Sequence, residues 1–137
     1  MNAKAALHQD NEDLTRVGPG TVMGGLMRHY WLPAMQSGEL VAGGAQVRLL
    51  MLGEPLVAWR SPSGEVGGMD HRCPHRNASL FFGRNEAGGL RCIYHGWQFD
   101  TAGRCVDVPN VPRGDDFKAR VKTTAYQAHE RHGIVWV

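Results

Sequence analysis

The stretch Cys73–His95, reading CPHRNASLFFGRNEAGGLRCIYH, constrains this chain more than any other. It carries two short ligand boxes, Cys73-x-His75 and Cys92-x-x-His95, separated by sixteen residues that include Gly83, Gly88 and Gly89. Two thiolates and two imidazoles, arriving as matched Cys/His pairs on two loops, can close around an inorganic centre and so tie the loops together. A lone Cys-x-x-His would carry little weight.

Two centres suit this donor set. A structural zinc takes two Cys and two His in one tetrahedron. A Rieske-type [2Fe–2S] cluster takes both sulfurs on one iron and both imidazoles on the other. Zinc fingers tend to place like ligands together, whereas here each loop contributes one of each. That distribution favours the cluster and leaves zinc as the alternative.

At 137 residues the chain has the length of a single small domain, for which a metal centre would add stability. With 15 basic and 13 acidic residues the formal net charge is +2, which gives no reason to expect nucleic acid or an anionic membrane as partner. The N-terminal MNAKAALHQDNEDLTR has no apolar core and no twin arginine, and a cytoplasmic location is expected. Of three cysteines, two belong to the boxes and Cys105 is left over, read as a core thiol in a reducing compartment.

Residues 1 to about 13 are polar, and mobility is expected at the very start. A short helix is predicted next, with Thr21 as N-cap, Leu26, Met27, Tyr30 and Trp31 at spacings that share a face, and Pro33 ending it. Strands are predicted over Gln46–Leu52 and Leu56–Arg60, divided by Gly53-Glu54-Pro55, then over Glu65–Asp70 after the turn Ser61-Pro62-Ser63-Gly64. Leu90–Tyr94 enters the second box, and Trp97–Asp100 and Arg104–Val108 flank Thr101-Ala102-Gly103. A proline-bearing loop, VPNVPRG, precedes two further strands over Lys118–Ala128 and Ile134–Val137. Many short strands with frequent turns predict an all-β chain, a small antiparallel sandwich or barrel with two cluster-binding loops and a short N-terminal helix. The division expected is an N-terminal extension over residues 1–30 and the metal-binding domain over 31–137. The final GIVWV is strand-like with no polar tail, and the chain is expected to be the first part of a longer polypeptide.

Cys73-Pro74-His75-Arg76 and Cys92-Ile93-Tyr94-His95-Gly96-Trp97 resemble the two halves of the Rieske motif in aromatic-ring-hydroxylating oxygenases. The segments LTRVGPGT, MGGLMRHYWLPA, ASLFFGRNEAGGLRC and FDTAGRCVDVPN resemble the phthalate-dioxygenase-like group, and the resemblance runs from about Asn11 to Val137. It implies a [2Fe–2S] cluster held by Cys73, His75, Cys92 and His95. It also implies a flavin-dependent reductase or ferredoxin as donor, and a mononuclear non-haem iron domain of a neighbouring subunit as acceptor, in a homotrimeric parent. That iron needs two histidines and a carboxylate in a C-terminal domain. No such spacing is present here, so these residues alone are expected to move electrons and hydroxylate nothing. A free-standing Rieske ferredoxin is the alternative in which there is no substrate.

Asn77 departs from the family's usual glycine; asparagine best tolerates a left-handed backbone, so strain is expected rather than loss of the cluster. Val22 replaces a common proline after Thr21, loosening the helix start. Rieske proteins of respiratory complexes carry extra cysteines and a serine where Ala78, Tyr94 and Trp97 stand here. With fewer donors to sulfur, the potential is expected toward the low end of roughly −150 to +300 mV. The potential is expected to fall as pH rises through the imidazole titration; a flat profile into strong alkali would argue against two imidazole ligands.

Other residues have plainer readings. Arg76 steers a partner or braces its loop, Tyr94 braces the centre or simply packs, and Trp97 and Phe99 cover the centre from water. His129 and His132 point to opposite faces of a strand and are read as solvated, and His8, His29 and His71 stand alone.

Overall fold

The computed structural model describes residues 3–112 and 116–137. Arg113 and Gly114, the end of the proline-bearing loop, lie outside the described residues. The strands are β1 (Pro33–Gln36), β2 (Val47–Met51), β3 (Glu54–Arg60), β4 (Val66–Asp70), β5 (Arg84–Glu86) and β6 (Gly89–Arg91), then β7 (Gln98–Phe99), β8 (Cys105–Asp107), β9 (Ala125–Tyr126), β10 (His129–Arg131) and β11 (Ile134–Trp136). They form three antiparallel sheets, in the orders β1-β11-β10, β2-β3-β4-β9 and β5-β6-β7-β8. The all-β architecture with a short N-terminal helix is as expected, apart from a second helix before it.

The apolar run Leu56-Val57-Ala58-Trp59 explains the layering. Alternate strand residues face opposite ways. Val57 and Trp59 enter the main core with Met69, Leu80, Leu90 and Phe99, while Ala58 turns to a smaller cluster with Leu40 and Val135. β3 is therefore covered on both faces, by the β5–β8 sheet on one side and by β11 on the other. Cys73, Cys92 and Trp97 belong to the main core, so the ligand loops are anchored in the best-packed part of the chain.

Several elements differ from expectation. Residues Ala3–Thr15 form helix α1, which was not anticipated, while the very start expected to be mobile lies outside the described residues. Good helix formers and i,i+4 contacts, Gln9 with Asp13 at 2.8 Å and Glu12 with Arg16, account for it. Leu7 and Leu14 are exposed, so there was no apolar stripe to read. Helix α2 (Val22–Met27) has Thr21 as N-cap, its hydroxyl accepting from the Gly24 N–H, but it ends before Tyr30 and Trp31, which are exposed. The first hairpin turns at Leu52-Gly53, with φ of 48° and 78°, one residue earlier than predicted, and Glu54 and Pro55 start β3. Strands β1 and β5 were not anticipated. Most of Lys118–Ala128 is not strand: Phe117–Arg120 is a 3₁₀ turn, Lys122 makes an isolated antiparallel bridge to Arg104, and Ala125–Tyr126 forms the short strand that pairs with β4. His132, in the β10–β11 turn at φ 55°, is exposed. No helix among the described residues is long and apolar enough to cross a membrane.

The N-terminal extension is clamped to the sheet by Arg28. Its guanidinium donates to Val17 O (3.3 Å), Gly24 O (2.8 Å), Leu52 O (3.1 Å) and Glu54 Oε1 (2.5 Å), and Tyr126 Oη donates to the other Glu54 oxygen. Burial raises the Glu54 pKa, but hydrogen bonds from Tyr126 and Arg28 outweigh it and leave it below 4.5. Burial, then the Glu54 hydrogen bond and charge, push Tyr126 from 10.0 up to about 12. A depressed carboxylate stabilises the fold above its unfolded pKa and loses that contribution as pH falls through the folded value; a raised phenol contributes below its unfolded pKa and loses it as pH rises. Urea titrations are therefore expected to show stability falling below pH 4.5 and again between pH 10 and about 12. Tyr126→Phe should flatten the alkaline leg; an unchanged leg would contradict the assignment.

Candidate metal centre

The two ligand loops are built alike. The first leaves β4 and the second leaves β6. In each, the cysteine carbonyl accepts from the N–H four residues on, Asn77 to Cys73 at 2.9 Å and Gly96 to Cys92 at 3.0 Å. The cysteine N–H in turn donates to the carbonyl five residues on, Ala78 at 2.9 Å and Trp97 at 2.8 Å. The closing residue is left-handed in both, Asn77 at φ 56° and Gly96 at φ 76°. Gly96 has a second reason to lack a side chain, since a Cβ there would lie 3.0 Å from Pro109 Cγ. The Asn77 side chain is exposed, so its conformation alone is at stake. Asn77→Val is expected to cost roughly 1–2 kcal/mol in urea unfolding and Asn77→Gly far less, because a β-branched residue strains in that region; equal costs would contradict this.

The four predicted ligands are brought together as two pairs. Cys73 and Cys92 are both buried, and their side chains are within hydrogen-bonding reach. Burial pushes the Cys73 thiol up to about 11, opposed by the backbone N–H groups of His75 and Arg76, with the Cys92 sulfur adding to the rise. His75 and His95 stand edge to face, with centroids 4.5 Å apart. Burial lowers the His75 pKa, and electrostatic repulsion from the His95 and Arg76 side chains lowers it further, which favours the neutral ring that offers one nitrogen lone pair to a metal. His75 Nδ1 is buried with no hydrogen-bond partner, a costly arrangement that a bond to a metal would remove. Among the described residues no three His, Cys, Asp or Glu side chains converge on one ion-sized point. Sulfur with sulfur and nitrogen with nitrogen is the pairing that two linked irons require, and it differs from the single tetrahedron of zinc.

The residues expected around the ligands divide clearly. Trp97 is 8% exposed and stacks on His75 at 4.3 Å and 8°, so the fifth-position residue of the second loop covers the histidine of the first. Tyr94 is 61% exposed and lies against the His95 ring at 3.9 Å. Arg76 is exposed. Phe99 lies fully buried in the core. Cys105 is a buried core thiol whose S–H donates to Asp107 O at 3.5 Å, and burial raises its pKa.

Arg91 was missed. Its guanidinium donates to Gly96 O (2.6 Å), Asp107 Oδ2 (2.7 Å), Glu86 Oε2 (2.7 Å) and Gln98 Oε1 (3.0 Å). It thereby joins the second ligand loop to β5, β7 and β8. The available signal was an arginine between Leu90 and Cys92, a charge inside an apolar strand.

A family model described as "Rieske [2Fe-2S] domain" matches residues 30–126. The 3-chlorobenzoate-3,4-dioxygenase oxygenase subunit of Comamonas testosteroni is 63% identical over 96% of this chain and 31% of its own length. The phthalate 4,5-dioxygenase oxygenase subunit of Pseudomonas putida is 43% identical over 93% of this chain and 29% of its own. Among solved structures, Pseudomonas putida CBB5 NdmA superposes with a TM-score of 0.69 at 34% identity, covering 82% of this chain and 34% of that one. The chain thus spans under a third of the length of these curated relatives.

Proposed function

This chain belongs to the family of Rieske [2Fe–2S] domains, a [2Fe–2S]-binding family, and from that premise we propose that it is the one-electron-transfer domain of an aromatic-ring-hydroxylating oxygenase component. Cys73 and Cys92 hold one iron, and His75 and His95 the other, His75 through Nδ1. The observation that carries this reading is the segregation of the donors, two buried thiols side by side and two imidazoles edge to face with one nitrogen orphaned. When bound, the cluster supplies a one-electron couple whose potential is raised by neutral imidazole ligands. Trp97 excludes water from His75, Arg91 holds the main chain beside His95, and the backbone N–H groups of His75 and Arg76 donate to the Cys73 sulfur. His75 and His95 are half-buried beside exposed Pro74, Arg76, Ile93 and Tyr94, which presents an imidazole edge for an acceptor.

On this reading residues 1–30 are an extension and 31–137 the electron-transfer domain. The donor is a flavin-dependent reductase or a ferredoxin. The acceptor is a mononuclear iron domain in a neighbouring subunit of a homotrimer, acting on an aromatic acid like those named for the two dioxygenase relatives. Three unpaired cysteines support a reducing, cytoplasmic setting. A free-standing carrier is less well supported, since the two dioxygenase relatives are oxygenase subunits. Anaerobically purified protein should contain two irons and two sulfides per chain and give an EPR signal after dithionite reduction. Colourless protein with stoichiometric zinc would overturn the assignment.

A further inference from the structure

A groove between β8 and the turn Phe117–Arg120 is walled by Arg104, Lys118 and Lys122, with Val106, Ala119 and Val121 between them. Arg120 projects from the same turn, and all four cations are exposed. Against them stand Asp100, which accepts from Arg104 Nε at 2.8 Å, and exposed Asp116. Lys118 Nζ donates to Val106 O at 3.3 Å, which uses one of its three N–H bonds. The groove adjoins the metal centre through two ring contacts: Phe117 meets Trp97 edge-on at 5.7 Å, and Trp97 stacks on His75 at 4.3 Å. The exposed surface at Pro74, Arg76, Ile93 and Tyr94 belongs to the ligand loops and is left to the acceptor.

We propose that this groove docks an acidic segment of the protein that delivers electrons to the domain, an inference that rests on the electron-transfer function proposed for the chain. Exposed cations add little to fold stability. Clustered on one rim, they raise the encounter rate of an oppositely charged partner by about tenfold or more, and salt suppresses the gain. The apolar residues between the cations give the docked segment surface to bury, and the Phe117–Trp97–His75 contacts bring it close to the centre without covering the imidazole edges.

The test is equilibrium binding of an acidic plant-type [2Fe–2S] ferredoxin to the iron-loaded protein, both oxidised, by titration calorimetry at roughly 0.05 and 0.5 M salt. Lys118→Glu/Lys122→Glu is expected to weaken low-salt binding about tenfold, with the cluster spectrum unchanged. Lys118→Gln/Lys122→Gln should weaken it less, and it serves in place of the reversal if that variant misfolds. Arg48→Glu/Arg76→Glu, at exposed arginines of β2 and of the first ligand loop outside the groove, should cost less than the groove reversal. No binding at low salt, unchanged binding in the groove variants, or a larger loss from the Arg48/Arg76 pair would overturn the proposal. Protein that assembles no iron–sulfur centre would defeat the electron-transfer function itself, whereas unaltered binding by loaded protein defeats the groove alone.

Discussion

Cys73→Ser is expected to purify without cluster, its iron and sulfide content lower by more than the roughly 10–100-fold that accompanies loss of a residue merely supporting a ligand. Cys73 is 1% exposed, beside Cys92, and serine offers a hydroxyl where the proposed cluster needs a thiolate. The same change leaves the His75 Nδ1 without the metal that satisfies it, so thermal stability should fall together with the colour. Cys105→Ala is the internal contrast. That thiol is also buried but bonds only the Asp107 carbonyl, so its removal should cost modest stability and leave iron content unchanged. Loss of iron in both variants would mean that Cys73 and Cys105 do not differ in their role toward the metal.

Gly67→Ala is expected to destabilise the domain by about 1–3 kcal/mol or more, the range for overpacking a well-filled core. Gly67 pairs with Trp59 across β3 and β4, and a Cβ at Gly67 would stand 2.5 Å from Trp59 Cη2 and 2.6 Å from Cζ2. The indole is fully buried and has nowhere to retreat. Reducing the ring in Trp59→Leu removes the obstacle, so the double variant should cost less than the two single changes added together in urea unfolding. Additive costs would show that Gly67 is required for some other reason.

The parts of the fold that were legible are those where one physical cause dominates. The two boxes were readable because few chemistries require Cys and His at those spacings, and the structure places their side chains as two pairs, sulfur beside sulfur and imidazole beside imidazole. The β3 run and the turn at Gly103 were readable because burial on both faces and a positive φ of 77° leave a local signature. Strands β1 and β5 were not, because each is three or four residues long and partly exposed, and pairing with distant β11 or with β6 defines them. Helix α1 was missed because its described apolar side chains, Leu7 and Leu14, are exposed and make no buried stripe. Lys118–Ala128 looked strand-like by composition, but Phe117 turns its segment toward Trp97 instead. Arg91 showed only as a charge inside an apolar strand, because its four acceptors, Glu86, Gly96, Gln98 and Asp107, come from four separate positions that only the folded sheet gathers. The equivalence of Asn77 and Gly96 likewise became apparent only from the shared hydrogen bonds of the two loops.

The most direct test of the ligand assignment is pulsed EPR on reduced protein grown with ¹⁵N-labelled histidine. Two distinct histidine nitrogen couplings are predicted, one disappearing in a His75→Cys variant and the other in His95→Cys. A reduced spectrum carrying no histidine coupling would show that neither imidazole binds iron, and the assignment of His75 and His95 as ligands would be wrong.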